Sequence, residues 1–224
     1  MTVRINKPAL NLREELTKAQ GVVRYEQRQF WMDGLVENGT FDNGTTGWSA
    51  GNGATLSVSS GQLSIQSNGS QYGSNAGQEI TTIKGKTYKI YADCISGSLP
   101  KLRVGTTSAL SGDLLNKNLV AGETETGTFI AASSVTYVFV EENNINSTSV
   151  FDNIAVFEVD ENDNVIHSLP LGFKPLHVYE DGLIQREGDV HDYTVVKTSG
   201  AYAIKPAVQP TATTETCIIA EREL

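Results

Sequence analysis

TLSVSSGQLSIQ, residues 55–66, decides the fold. Leu56 and Val58, then Leu63 and Ile65, alternate with polar residues on either side of Ser60-Gly61. Period-two alternation gives an extended chain one apolar and one polar face, and a Ser-Gly pair suits a tight hairpin turn. The stretch therefore predicts two antiparallel strands that each lay one face on a core. KTYKIYADCISG, residues 86–97, repeats the signature: Tyr88, Ile90, Ala92 and Cys94 fall in one phase, Lys89, Tyr91 and Asp93 in the other.

Outward from these two stretches, short β-rich runs alternate with turn clusters. Strands are expected near 35–37, 47–49, 54–58, 62–66, 77–82, 87–95, 100–105, 126–131, 135–141 and 149–158. TYVFVEENNINSTSVFDNIAVFEVD, residues 136–160, reads as two strands round a polar, Asn-rich turn. Many short antiparallel strands with polar turns predict a mainly β protein, with a jelly-roll sandwich over residues 35–160.

The flanks differ in texture. Residues 161–172, ENDNVIHSLPLG, read as a connector. LHVYEDGLIQREG (176–188) is a hairpin turning at the favoured Asp181-Gly182 pair, and DYTVVKTSGAYAIKP (192–206) is another turning at Ser199-Gly200. With ETCIIAERE (215–223), residues 161–224 make a small C-terminal β module. At the other end, Pro8 suits a helix start and Gly21 a helix stop. Leu12 and Leu16 share one face between them, and Leu10 adds to the apolar side of the segment. Such a helix is too short to stand alone. Residues 22–34 then gather Tyr25, Phe30, Trp31 and Met32, a packing plug rather than a ligand site. Residues 1–34 are thus expected to form a helical docking or oligomerisation arm.

Composition narrows function. Of a net charge of −9, residues 1–34 contribute +2, residues 35–160 six Lys/Arg against twelve Asp/Glu, and residues 161–224 five against ten. An acidic body does not bind phosphate backbones, so no nucleic-acid partner is expected. There is no run of 18 apolar residues to span a membrane. The first twenty residues lack the apolar core of an export signal, so assembly in a cytoplasm is expected. Cys94 and Cys217 lie in alternating strands and read as buried free thiols.

Motifs of catalysis are absent. His167, His177 and His191 have no partners at metal-ligand spacing, and no nucleophile elbow or phosphate loop occurs. Glu141-Glu142 and Glu180-Asp181 read as solvated acids at strand ends and turns. No enzyme is expected.

Two end motifs of the central region carry a resemblance. Asn38, Gly39, Phe41, Asp42, Gly47 and Trp48 open it, and Phe151, Asp152 and Asn153 close it. Together they resemble the jelly-roll carbohydrate-binding modules found beside glycoside hydrolases. That resemblance implies that the two ends lie side by side. It also implies that Asp42 and Asp152 could share a structural calcium, which takes oxygen donors; no other cofactor is expected. The alternative is that both carboxylates simply bond turn amides. It implies further that exposed rings stack on sugar: Tyr72, in the loop SNGSQYGSNAG, and Tyr91, out of phase with the apolar residues of its strand. Trp48 is expected in the core.

The chain ends carry another. MTVRINKPALNLREELTKAQ (1–20) is similar to the start of small virion proteins of tailed bacteriophages, especially podovirus fibre and head-decoration proteins. VYEDGLIQREGDVHDYTVV (178–196) resembles a short β module of phage structural proteins. This implies a virion protein, assembled in the host cytoplasm, that decorates the capsid as a cement or head-fibre subunit. It would be a homotrimer, docked on the major capsid protein or another virion protein through Leu10, Leu12, Leu16, Phe30 and Trp31. The alternative is a tail fibre or tail adaptor binding host surface glycan. A freestanding bacterial carbohydrate-binding protein is a third reading, disfavoured by the missing export signal.

Overall fold

The computed structural model describes residues 24–30, 34–169, 173–180, 183–188, 192–198, 201–207 and 215–222. The helix expected over 8–21, with Leu10, Leu12 and Leu16, lies outside them, as do Trp31 and the side chains of Phe30 and Cys217. The described chain is all strand and turn, in two compact units. Of the described residues, one unit holds those from Phe30 to Val165, and the other combines residues 24–29 with those from Ile166 onward.

In chain order the strands are β1 (Arg24–Phe30), β2 (Ser49–Gly51), β3 (Thr55–Ser59), β4 (Gln62–Gln66), β5 (Ser74–Thr81) and β6 (Thr87–Ser96). Then come β7 (Pro100–Gly105), β8 (Leu115–Asn118), β9 (Glu123–Ile130), β10 (Val135–Glu142) and β11 (Thr148–Val159). The remainder are β12 (His167–Ser168), β13 (Phe173–Glu180), β14 (Leu183–Ile184), β15 (Tyr193–Thr198), β16 (Ala201–Pro206) and β17 (Glu215–Arg222).

The larger unit is a sandwich of two five-stranded antiparallel sheets, ordered β2-β5-β10-β7-β8 and β3-β4-β11-β6-β9. Apart from the consecutive pairs β3-β4 and β7-β8, neighbours are distant in sequence, as in a jelly roll. The hairpin at 55–66 forms as read: Val58 pairs with Leu63, and both Ser60 (φ 54°) and Gly61 (φ 73°) take the left-handed backbone of its turn. Inward-facing Leu63, Ile65, Ile90, Ala92, Leu102, Val104, Val138, Val140, Phe151 and Val156 meet in one core. Tyr88 joins them; its hydroxyl accepts a bond from Ile83 N at 2.8 Å, and burial pushes its pKa up to about 12.

The opening motif is not the strand expected near 35–37. It is tied to the sheets by an isolated bridge, Gly34 to Val156, and by bonds such as Leu35 N to Val156 O and Glu37 N to Gln78 Oε1. Gly34 has φ 60°, and a Cβ there would meet Val156 O at 2.0 Å, so the chain can approach this closely only as glycine. Residues 38–47 then coil through turns. Asn38 organises them: its Oδ1 accepts from Asn43 N, and its Nδ2 donates to Gly44 O and Thr46 O. Trp48 is buried as expected, 5.6 Å from the Phe41 ring, with Nε1 donating to Asn38 O.

The smaller unit holds sheets β1-β17-β13-β14 and β12-β16-β15 round a core that includes Leu169, Val178, Ile204 and Ile218. Pairings Glu180–Leu183 and Thr198–Ala201 match the two hairpins expected there. His167 is fully buried here, and burial pushes its pKa down to about 4.

Candidate functional site

β10 runs through the middle of its sheet between β5 and β7, and its alternation sorts side chains sharply. Thr136, Val138 and Val140 point into the sandwich, so Val135, Tyr137, Phe139 and Glu141 face out. Register extends this outer face across the sheet. One row reads Gly51, Asn75, Glu141, Lys101, Asn118; the next reads Ser49, Gly77, Phe139, Arg103, Asn116. A third places Glu79, Tyr137 and Gly105 side by side.

The face is aromatic at its centre and polar at its margins. The Tyr137 and Phe139 rings lie near-parallel, 18° apart in plane with centroids 6.5 Å apart. Phe139 is buried over Gly77, where a Cβ would come 2.7 Å from the ring. Tyr137 is partly exposed, as Tyr91 is, and a hydrogen bond to Glu79 holds its hydroxyl and raises its pKa. Arg103 donates through Nε (3.1 Å) and Nη2 (2.9 Å) to Glu141 Oε1. Glu141 is fully buried, and its other oxygen has no hydrogen-bond partner. Gly73 lies over that oxygen, where a Cβ would come 3.5 Å from it.

These acids correct the sequence reading. Glu141 and Glu142 are not solvated strand-end acids; both are fully buried. Glu142 points the other way and accepts from Ser98 N, Leu99 N, Asn144 N and Ser149 Oγ. Their partners lie up to 44 residues away, so local sequence does not reveal them.

Tyr72 and Tyr91 are not brought together. Tyr72 is 64% exposed in the β4–β5 loop, beside Gly73 and hence at the rim of the face just described. Tyr91 lies on β6, in the other sheet, and is not the free ring expected. It is half-buried against Phe157, edge-on at 6.1 Å, with the Lys89 ammonium 5.5 Å from its ring. Sequence reasoning missed Tyr137, Phe139 and Arg103, although the phase of Tyr137-Val138-Phe139-Val140 already puts both rings on one face.

Asp42 and Asp152 do approach each other. Ile154 N donates to Gly39 O, which ties the opening turns to a bulge in β11 at Asp152. Asp42 accepts from Thr40 Oγ1 and Asp152 from Asn153 N. Desolvation raises the pKa of Asp152, and the neighbouring charges of Asp93 and Asp42 add to it. Like charge of this kind is what a cation relieves. Among the described residues, however, no three or more His, Cys, Asp or Glu side chains converge as a metal cage. The donor set therefore fits calcium only with main-chain oxygens completing it.

With this geometry in view, comparison with known families is direct. Residues 33–142 match the carbohydrate binding domain family. The matched segment includes all three rows of the outer face. Among solved structures, a CBM4 structure aligns at 18% identity and TM-score 0.42, over 55% of this chain and 98% of that one. A family 16 carbohydrate binding module-2 aligns at 17% identity and TM-score 0.41, over 55% and 98%. The enzymatically active domain of bacteriophage CBA120 tailspike protein 4 aligns at 10% identity and TM-score 0.42, over 56% of this chain and 21% of that one. No curated protein matches.

Proposed function

We propose that the sandwich is a carbohydrate-binding module that takes glycan on the outer face of β2-β5-β10-β7-β8 and acts by binding, without catalysis. One observation carries this: a partly exposed Tyr137 ring, fixed by Glu79 and stacked beside Phe139, stands among polar side chains inside a segment matching the carbohydrate binding domain family. A sugar ring has apolar C–H faces and a hydroxyl rim. An aromatic plane flanked by amides and a pre-paired Arg103–Glu141 couple suits both surfaces at little cost in ordering. Tyr72 extends the same rim. Asp42 and Asp152 support the calcium expected at the joined ends, where it would neutralise converging acids.

The finer placement in a virion, as capsid decoration or as a tail fibre or adaptor, rests on residues 1–20 and 178–196 alone. The family match supports the glycan-binding part of that reading.

A glycan array followed by calorimetry tests the proposal. Tyr137→Ala should weaken binding about tenfold or more, an effect on the order of 1–3 kcal/mol for a buried ring. Tyr91→Ala should leave affinity unchanged. Equal loss in both variants, or no binding across the array, would overturn it.

A further inference from the structure

The outer face does not end at Asn118. Beyond the Glu141–Lys101–Asn118 row the surface dips into a cleft of about 320 Å³, within the range of small-ligand sites. Leu99, Pro100 and Leu119 supply its apolar wall, and Lys101, Asn118 and Asn143 its polar one. Main-chain bonds hold the walls together: Leu119 N donates to Pro100 O and Asn143 N to Leu99 O.

The three polar side chains are unengaged. Neither Lys101 Nζ nor the side-chain amides of Asn118 and Asn143 bond within the described protein. Of the six Lys and Arg residues of the sandwich, Lys86, Lys89, Arg103 and Lys117 each hold an acid, which leaves Lys84 and Lys101, and of these two Lys101 lines the cleft. Lys101 lies directly across from Glu141, yet Glu141 accepts its hydrogen bonds from Arg103. Glu142, behind the cleft wall, has four donors of its own. A half-buried ammonium without a protein counter-ion, in a domain carrying six cations against twelve acids, is free to pair with an anion from outside.

We infer that this cleft is a subsite for a carboxylate-bearing sugar, so that the module selects acidic over neutral glycan. Lys101 pairs with the carboxylate, the two asparagines donate to ring hydroxyls, and Leu99 and Leu119 meet the apolar ring face. The assignment rests on the glycan-binding reading of the neighbouring face and specifies its substrate class.

Calorimetry with a short oligogalacturonate, its methyl-esterified form and a sulfated oligosaccharide tests it in the full chain. The wild type should bind the free acid about tenfold more tightly than the ester. Lys101→Met should erase that preference, and about 1 M salt, where screening acts within about 3 Å, should shrink it. A preference that survives in Lys101→Met, equal binding of acid and ester, or tighter binding of the sulfated sugar would overturn the subsite. Binding of all three sugars undiminished in Tyr137→Ala would instead overturn the face reading.

Discussion

The two outer faces of the sandwich each carry an aromatic pair, and they use it differently. On β6-β11, Tyr91 meets Phe157 edge-on, Lys89 covers the ring, and Ala155, Val159 and Val165 fill in around it. On β10, Tyr137 lies parallel to Phe139 with its hydroxyl held by Glu79, and unengaged polar groups extend away from it. The first arrangement has satisfied itself and needs nothing further. The second leaves a ring, an ammonium and two amides open. Aromatic content alone therefore does not mark a binding surface; an accessible ring beside unsatisfied polar groups does.

The contrast can be tested, and the largest expected effect lies outside both faces. His167, buried in the smaller unit, has a folded pKa near 4 against an ordinary 6.5. A histidine with a lowered pKa contributes its stability above 6.5 and loses it as pH falls toward 4. Across that window the smaller unit should lose about 3 kcal/mol. Protection factors of the amides in β15 and β16, taken after correction for the intrinsic slowing of exchange in acid, should fall on acidification while those of the sandwich strands hold. An equal fall in both units would contradict the assignment. Binding to the outer face of β10 measured at pH 5 should meanwhile persist.

Next in size is Arg103→Ala, which strands a fully buried carboxylate at the centre of the proposed face. Because Arg103 is itself 20% exposed, the loss should fall at about 2–3 kcal/mol, below the value for a wholly buried pair. Chemical denaturation measures it. A neutral result would mean that Glu141 is held by something other than Arg103.

The smallest effect concerns the joined chain ends. Asp152 has a raised folded pKa, so its contribution to stability declines as pH climbs through that value, and at neutral pH its charge is a cost. Partial exposure screens this cost. Asp152→Asn should therefore gain less than about 1 kcal/mol in chelator and lose any stabilisation by added calcium. A wild type whose melting temperature ignores calcium would remove the metal from the account.

Much of this fold was legible in the sequence, because alternation is a local signal. Leu63, Ile65, Tyr88, Ile90, Ala92 and Cys94 are all buried in the phase their strands predict. Two features were not legible. β8, Leu-Asn-Lys-Asn, has little strand propensity and forms because β7 offers it an edge. The outer face itself is assembled by β5, β10 and β7, whose pairing joins residues more than thirty positions apart. Tyr72 could be placed in an exposed loop from sequence, but the nearness of its neighbour Gly73 to Glu141 depends on that pairing. Tyr91 was read as exposed because its phase was right. What covers it, Phe157, comes from the far end of the domain.

Backbone amide shift mapping during titration with a bound glycan tests the central claim most directly. Perturbations should concentrate on residues 101–105, 116–118 and 135–141 and reach Tyr72. They should be absent from residues 89–93 and 153–157. Shifts centred on Tyr91 and Phe157, with β10 silent, would contradict the account.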